Sequence, residues 1–399
     1  PGNGPLRRTA VAWNVYDCAG LEFGACEEAL VSGGCALADG GPWPFHPGTQ
    51  RTDLNGDGYA DVVIGRPFDN RVDIWCGGPA GLRSAGFIEP ESCSPIGFGT
   101  TIAVGQLTGN GRASIVVGYV RCQGQQPGYF VYSNFDDSCR PLLTATREPV
   151  ETRGPGAPVL SAEADIDVDG IHDLLIADGS RNLQALLGSG EALSLGTIPD
   201  GVAALRADGD LDVLTANDGQ NSIAVVTSRG DATLVNDSSR FTVPRFATLG
   251  RRVVGQADGI IGVRNGQTNA VVMSSTGVTL EIPLGFSPER VMFETGDLDG
   301  DEQTDFVLGS IDMVGADGGI AVVLGASVGA PMGVLSGPGG APLSGRFAAG
   351  GDANGDGRSD IVVSAEGKMY VVSFQEESPT YYEIGDVPPQ FATQIALDF

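Results

Sequence analysis

The sequence predicts an all-β fold, because three features recur together along most of the chain. Oxygen-rich nine-residue segments, close to the pattern Asp-x-Asp-x-Asp-Gly-x-x-Asp, start at residues 53, 165, 297 and 352 and have eroded counterparts at 106, 204 and 254. An apolar, largely β-branched run follows each intact segment, and further short apolar runs bounded by turn residues come after it. Four short strands in a repeat of about 50 residues are typical of a propeller blade. We therefore expect a seven-bladed β-propeller of four-stranded blades over residues 46–399.

The first 45 residues lie outside this repeat. They carry Cys18, Cys26 and Cys35 among spacers rich in Gly and Ala, together with one strand-like run at 9–16. An odd number of cysteines leaves one either free or joined to another chain. We predict that residues 1–45 form a cysteine-containing extension or cap, and the start at Pro1 without a signal peptide suggests a mature or trimmed protein.

The first segment, residues 53–61, is complete and predicts a metal site. Carboxylate or amide side chains stand at positions 1, 3, 5 and 9, and Gly58 occupies position 6. Oxygen donors spaced two apart, on a chain that turns sharply at glycine, can converge on one hard cation, and calcium accepts about six to eight of them. Position 7, Tyr59, would add its backbone carbonyl.

This segment is not an EF-hand loop, although it begins like one. An EF-hand has a bidentate Glu at position 12 and a helix on each side. Position 12 here is Ile64, and in the other intact segments it is Ile176, Leu308 or Val363. Each lies in an apolar run that predicts a buried strand, so the sequence indicates a calcium loop that leads into a strand.

The four intact segments predict sites for about four Ca²⁺ ions. In each, the expected ligands are the side chains at positions 1, 3, 5 and 9 and the backbone carbonyl at position 7. They are Asp53, Asn55, Asp57, Tyr59 and Asp61; Asp165, Asp167, Asp169, Ile171 and Asp173; Asp297, Asp299, Asp301, Gln303 and Asp305; and Asp352, Asn354, Asp356, Arg358 and Asp360. Whether the eroded segments at 106, 204 and 254 bind an ion is left open by the sequence.

The simplest role of these loops is structural. Clustered carboxylates repel one another without a cation, so metal binding stabilises the fold by linkage. The alternative is that one loop leaves a coordination position open, which a sugar hydroxyl or a partner carboxylate fills.

The remaining strands are predicted from apolar runs between turn residues. In the sixth repeat these are 305–309, 319–324 and 332–335, and a run often opened by an aromatic precedes each loop, as at 98–104 and 347–349. The last run, 391–398, resembles a loop-preceding strand, but no loop follows it. Because a free strand edge invites aggregation, we expect this C-terminal strand to complete the first blade and close the ring, with the run at 9–16 as the competing candidate.

The cysteines predict an oxidising compartment. All seven fall in the first 140 residues, and the pairs Cys76/Cys93 and Cys122/Cys139 have the same spacing, each bracketing a candidate hairpin. We expect local disulfides within these two pairs. Structural zinc is the less favoured alternative, because no CxxC pair and no His cluster is present.

The net charge and the lack of a long apolar run limit the classes of binding partner that the sequence allows. The net charge of −27 argues against nucleic acid and anionic membranes, and no apolar run is long enough to span a bilayer. Part of the acidity is explained by metal ligands. A secreted or cell-surface location follows from the cysteines and from the acidic, calcium-binding character.

Together, the Phe-Gly run at 98–99, the calcium loop and the apolar strand after it resemble FG-GAP repeats, also called VCBS-type repeats. The resemblance covers about residues 46–399 and rests on four intact loops in register with three eroded ones. It implies a fold like the integrin α-subunit propeller or the propellers of secreted bacterial proteins. It also implies a bacterial origin.

The resemblance and the composition favour a binding, adhesion or assembly module whose partner is a protein or glycan on a cell surface or in an extracellular assembly. A calcium-dependent, lectin-like propeller is one alternative, although aromatics are few, and a subunit of an extracellular filament is another. A propeller hydrolase or lyase is less favoured. Only two histidines, His46 and His172, are present, and no nucleophile elbow or HExxH helix is found.

Overall fold

The computed structural model consists of short strands in antiparallel sheets, with one 3₁₀ turn at Pro338–Gly340 among the residues it describes. The described residues are 53–66, 69–90, 95–99, 101–122, 126–142, 150–153, 158–167, 169–180, 182–197, 202–207, 212–217, 223–227, 233–235, 244–254, 257–264, 269–274, 279–283, 291–300, 305–310, 320–323, 333–341, 343, 347–365, 368–375 and 378–386. Between 202 and 280 the backbone of the strands is described without the side chains.

The sheets follow one another in chain order, and within each sheet the strands also pair in chain order. The first sheet has three strands, β1 (Val62–Arg66), β2 (Arg71–Cys76) and β3 (Arg83–Ile88). The second has β5 (Thr101–Gly105), β6 (Ser114–Tyr119), β8 (Gly128–Tyr132) and β9 (Val150–Glu151), beside a two-stranded ribbon of β4 (Pro95–Ile96) and β7 (Arg121–Cys122). The third has β10 (Val159–Ala164), β11 (Asp173–Ala177), β12 (Asn182–Leu186) and β13 (Ala192–Thr197).

Four more four-stranded sheets complete the described chain. The fourth has β14 (Val202–Ala207), β15 (Asp212–Asn217), β16 (Ile223–Thr227) and β17 (Thr233–Val235). The fifth has β18 (Pro244–Val254), β19 (Ala257–Arg264), β20 (Asn269–Ser274) and β21 (Thr279–Pro283). The sixth has β22 (Val291–Gly296), β23 (Asp305–Ser310), β24 (Ile320–Val323) and β25 (Gly333–Leu335), and the seventh has β26 (Phe347–Gly351), β27 (Asp360–Ala365), β28 (Lys368–Gln375) and β29 (Ser378–Asp386).

The sheets pack face to face, which explains why their inner strands are apolar on both sides. All six residues of β6 and all five of β8 are buried. In β1, Val63 packs into a core with the second sheet, whereas Val62 and Ile64 point the other way into a core with the seventh sheet. The first sheet is thus packed between its neighbour in the chain and the last sheet of the chain.

The nine-residue segment at 53–61 leads into β1, and those at 106, 165, 297 and 352 connect the first two strands of their sheets. We call them loop 1 (53–61), loop 2 (106–114), loop 3 (165–173), loop 6 (297–305) and loop 7 (352–360). At four junctions the N–H at position 8 of one loop donates to the carbonyl at position 1 of the neighbouring loop. The bonds are Ala113 to Asp53 (2.7 Å), His172 to Gln106 (3.0 Å), Ser359 to Asp297 (2.7 Å) and Ala60 to Asp352 (3.0 Å). The last of these joins the first sheet to the seventh.

The predicted disulfide pairing is wrong. Cys76 is bonded to Cys139, with their Cα atoms 5.8 Å apart, which excludes both Cys76–Cys93 and Cys122–Cys139. Cys76 ends β2, and Cys139 lies in the connection after β8, which folds back over the first sheet. The equal spacing of the cysteines contained no information about the path of that connection.

The fifth repeat has no loop. Asp258 and Gly259, the expected remnant, lie inside β19, and β18 reaches Val254, so only residues 255–256 separate the two strands. In the fourth repeat the expected first two ligand positions, 204 and 206, lie in β14.

Three expectations concern residues outside the described ranges: the extension at 1–45, the strand-like run at 9–16 and the closing strand at 391–398. In the described part of the chain, no helix has the length and apolar character needed to cross a membrane.

Candidate metal centres

The aspartate at position 1 organises the turn of its own loop. In loop 1 the carboxylate of Asp53 accepts the N–H groups of Gly56 (2.7 Å) and Gly58 (2.8 Å), and Asp352 does the same in loop 7 with Gly355 (2.5 Å) and Gly357 (2.8 Å). These four glycines have φ between +79° and +87°. Side chains rarely adopt that region, so the turn favours glycine at positions 4 and 6 of loops 1 and 7.

The aspartate at position 9 is the most buried of the set, because it stands where the loop enters its strand. Its Oδ2 accepts the N–H of position 2 in every intact loop: Leu54 to Asp61 (2.7 Å), Ile166 to Asp173 (2.5 Å), Leu298 to Asp305 (2.6 Å) and Ala353 to Asp360 (2.9 Å). In loops 1 and 3 its Oδ1 also accepts an N–H from the end of the next strand, Gly77 (2.8 Å) or Gly188 (2.9 Å).

The predicted ligands converge in loops 3 and 6. Carboxylate oxygens of Asp165, Asp167 and Asp173 lie within 4.8 Å of one another, and so do those of Asp297, Asp299 and Asp305. In both loops these are positions 1, 3 and 9. Asp301 and Gln303 of loop 6 lie outside the described residues.

Loops 1 and 7 share the donor set Asp, Asn, Asp, Asp. Their position-3 amides face position 5: Nδ2 of Asn55 donates to Asp57 (2.9 Å) and Nδ2 of Asn354 to Asp356 (3.3 Å). Oδ1 of each amide accepts the N–H of that same aspartate, at 3.0 and 2.8 Å. The predicted ligands of both loops therefore lie together around the turn.

Burial raises the pKa of these carboxyl groups. It raises the pKa of Asp61 and of Asp360 to about 8 and that of Asp173 to about 6, and the neighbouring loop carboxylates raise each further. The pKa values of Asp53, Asp165 and Asp352 are raised for the same first reason, while backbone hydrogen bonds oppose the shift. A bound cation would reverse this cost of keeping several negative charges together.

The residues fit a hard divalent cation. The donors are carboxylate and amide oxygens on a turn, which is the chemistry that calcium prefers, and among the described residues no histidine or thiolate joins them. Asp61 also lies close to Cys76 and Cys139, but the disulfide removes both sulfurs as metal ligands.

Position 7 has a packing role that the sequence analysis missed. The side chains of Arg112, Ile171, Arg358 and Tyr59 lie against the position-4 glycines of the preceding loops, Gly56, Gly109, Gly300 and Gly355. A Cβ at Gly56 would lie 3.3 Å from Arg112 Cγ, and one at Gly355 would collide with the ring of Tyr59. The recurrence of glycine at position 4 in these four loops was the available signal.

Loop 2 keeps this backbone without the carboxylates. Gly109 and Gly111 have φ of +62° and +75°, and the buried Ser114 at position 9 shares a 2.9 Å hydrogen bond with Ser133. His172, the histidine of loop 3, accepts the N–H of Gln106 at Nδ1 (3.2 Å). It therefore helps to join loops 2 and 3.

Comparison with known proteins supports the fold. Residues 51–82 match the family model of the FG-GAP repeat, and this confirms the resemblance. No curated protein matches the chain. A functionally unknown protein from Desulfotomaculum acetoxidans DSM 771 is similar in structure, with a TM-score of 0.51 and 11% identity over 83% of this chain and 96% of that one.

Two further solved structures have a TM-score of 0.49. They are a protein from Lactobacillus plantarum (11% identity, 82% of this chain and 96% of that one) and BBS1N in complex with ARL6DN (12% identity, 84% and 94%). The similar structures are β-propeller proteins, and at these identities the likeness concerns the fold alone: all-β, propeller-like, with antiparallel four-stranded sheets.

Proposed function

We propose, from the FG-GAP repeat at residues 51–82, that this chain is a calcium-stabilised, seven-bladed β-propeller that works outside the cell as a binding, adhesion or assembly module. The observation that carries the proposal is the convergence of three aspartates within 4.8 Å in each of loops 3 and 6, at the same positions of the repeat. Such clusters are costly in the folded state unless a cation neutralises them.

Calcium would be held by the side chains at positions 1, 3, 5 and 9 of loops 1, 3, 6 and 7. When bound, it supplies charge compensation and fixes the geometry of the turn. The protein's own part is to bury the position-9 aspartate and to orient it with the N–H of position 2, as at Asp305 and Leu298 (2.6 Å). Folding and metal binding are then linked.

Seven blades and a closed ring are part of this proposal. The bond from Ala60 to Asp352 and the core that Val62 and Ile64 share with Val363 support a junction between the first and the last blade. The first sheet has three described strands, and residues 391–398 are proposed as the fourth.

A binding role is favoured over catalysis. The histidine among the described residues, His172, is engaged at a junction between loops, and the acidic side chains that converge are those of the proposed metal sites. Connections at one end of a propeller ring are where partners usually bind. The partner is proposed to be a protein or glycan rather than nucleic acid, given the charge of −27.

Calcium titration of chelator-treated protein by calorimetry, followed by thermal unfolding with and without calcium, tests the metal part. We expect about four ions per chain and a clear rise in Tm. The variant Asp305→Asn, which alters a buried ligand of loop 6, should remove one ion, whereas Ser114→Ala in loop 2 should remove none. Absence of binding at millimolar calcium would refute the metal part.

A glycan array and a protein-interaction screen, each run with calcium and with chelator, test the binding role. Saturable binding in either assay supports it. Hydrolase or lyase activity on a polysaccharide, with no stable binding in either screen, would contradict it.

A further inference from the structure

The connection between β8 and β9 crosses over loop 1. Its residues 133–142, which we call the strap, form a closed turn: the N–H of Leu142 donates to the carbonyl of Asn134 (3.1 Å), and Phe135 bridges to Pro141. The carboxylate of Asp136 accepts the N–H groups of Ser138 (2.8 Å) and Arg140 (2.9 Å). The strap therefore has a defined conformation of its own.

Three attachments hold the strap to the first two sheets. Phe135 is fully buried in the core that these sheets share. Arg112, from position 7 of loop 2, donates to the carbonyl of Phe135 (2.6 Å). Cys139 is bonded to Cys76 at the end of β2.

The tip of the strap contacts the position-3 ligand of loop 1. The carbonyl oxygen of Asp137 accepts hydrogen bonds from Nδ2 of Asn55 (3.4 Å) and from the guanidinium of Arg83 (3.3 Å). Nδ2 of Asn55 also lies 3.6 Å from Sγ of Cys76. The strap thus fixes the nitrogen side of the amide and leaves Oδ1 on the loop side, where it accepts the N–H of Asp57 (3.0 Å).

Loop 7 provides a matched comparison within the same chain, because its four predicted side-chain ligands are of the same types. Among the described residues, Nδ2 of Asn354 donates only to the carboxylates of its own loop, Asp356 and Asp360, both at 3.3 Å. Asn55 is 4% exposed, whereas Asn354 is half-buried. The two loops share a donor set and differ in the groups that contact it: the strap reaches Asn55 at position 3 of loop 1, whereas the hydroxyl of Ser373 in β28 donates to Asp356 at position 5 of loop 7 (2.7 Å).

We propose that the disulfide-tethered strap is a positioning element for calcium in loop 1, and that it makes loop 1 the tighter and more slowly exchanging of the two matched sites. This rests on the proposed function, since it presupposes calcium in both loops. The acting group is the carbonyl of Asp137, which orients Asn55, and the tether keeps that carbonyl in place. Outer-shell groups of this kind change metal affinity by about 10- to 100-fold.

Release kinetics test the proposal. Calcium-loaded full-length protein is mixed with an excess of a fluorescent chelator, and the ions released in each phase are counted. We expect one slow ion that is lost in Asp57→Asn and kept in the matched Asp356→Asn. In the double variant Cys76→Ser/Cys139→Ser, the slow phase should accelerate about 10- to 100-fold. A slow ion that disappears with Asp356→Asn, or a slow phase insensitive to the serine variant, overturns the proposal.

Replacing the asparagine at position 3 by aspartate gives a second test, and this test does not require the Cys→Ser double variant to fold. Asn354→Asp should raise calcium affinity in loop 7, because it adds a charged ligand. Asn55→Asp should fail to do so in loop 1, because the new carboxylate oxygen faces the carbonyl of Asp137. Equal gains in both loops would show that the strap does not act on position 3. If no calcium is bound in any variant, the proposed function itself is refuted. If calcium binds in both loops and leaves them at the same rate, only the proposal about the strap is refuted.

Discussion

At the scale of single residues, the two aspartates at the ends of each loop have different surroundings. Asp53 is held by N–H groups of its own turn, and Asp61 enters the strand at 2% exposure. The sequence pattern singles out both as predicted ligands, because a pattern of oxygen donors that repeats in sequence is a local property. The burial of Asp61 was not predictable from that pattern, because it depends on the sheets packed on either side.

This burial predicts an unusual pH dependence for the metal-free protein. A carboxyl whose pKa is raised on folding contributes stability below its unfolded pKa, near 3.8, and that stability is lost as pH rises through the folded pKa. For Asp61 and Asp360 the folded value is about 8, and for Asp173 about 6. We therefore expect the Tm in chelator to fall between pH 5 and pH 8, by scanning calorimetry.

The proposed calcium ions should reverse that trend, since they would bind the ionised carboxylates and be displaced by protons on acidification. The same scans at saturating calcium are the control, and Tm should then be higher at pH 8 than in chelator. A chelator-treated protein that gains stability from pH 5 to pH 8 would mean that these groups ionise freely in the fold.

Two loop glycines, Gly355 at position 4 of loop 7 and Gly58 at position 6 of loop 1, predict a second residue-scale effect. Gly355 and Gly58 both have positive φ, +79° and +87°, so alanine is strained by about 1–2 kcal/mol at either position. At Gly58 a Cβ meets nothing within 4 Å, but at Gly355 it collides with the ring of Tyr59. Gly355→Ala should therefore lower the free energy of unfolding more than Gly58→Ala, by denaturant titration. Equal losses would show that Tyr59 moves aside freely.

At the scale of elements, the predictions held where a local pattern decides the structure. The runs 305–309, 319–324 and 332–335 appear as β23, β24 and β25, because apolar runs between turn residues have few alternatives to a strand. The predictions failed where the structure depends on the path of a connection between strands. The remnant Asp258-Gly259 became part of β19, and Cys76 paired across two sheets with Cys139. Neither outcome could be predicted from the spacing of residues in the sequence.

Loop 2 predicts what happens when one ligand is restored without its partners. Ser114 is fully buried at position 9, and its loop supplies no carboxylate at positions 1, 3 or 5. Ser114→Asp should bury an unpaired charge and lower the free energy of unfolding at pH 7 by at least about 2 kcal/mol. Added calcium should not restore the lost stability, whereas Ser114→Asn, whose side chain is isosteric with aspartate but uncharged, should cost less. Rescue by calcium would instead mean that loop 2 binds an ion through other donors.

At the scale of the whole molecule, the same contact recurs at four junctions between loops, and one of them joins the first loop of the chain to the last. The bond from position 8 to position 1 joins loop 2 to loop 1 through Ala113 and Asp53, and it joins loop 1 to loop 7 through Ala60 and Asp352. These two junctions differ in what else holds them. The first and second sheets are also linked by the continuous chain and by the disulfide between Cys76 and Cys139. Among the described contacts, the first and seventh sheets are held by packing and hydrogen bonds.

The junction of loops 1 and 7 should therefore be the place where calcium matters most to the whole molecule. Both of its loops have a full donor set, so removing the proposed calcium ions should loosen both sides, and no covalent link among the described residues prevents separation. We expect amide hydrogen exchange at Ala60 to accelerate in chelator by a larger factor than at Ala113, which occupies the same position in loop 2. Asp356→Asn, which alters loop 7 alone, should raise exchange at Ala60 and leave Ala113 unchanged. If chelation accelerates both amides equally, the sheets respond to calcium as one cooperative unit, and the contact between the first and the seventh sheet is no weaker than the contact between the first and the second.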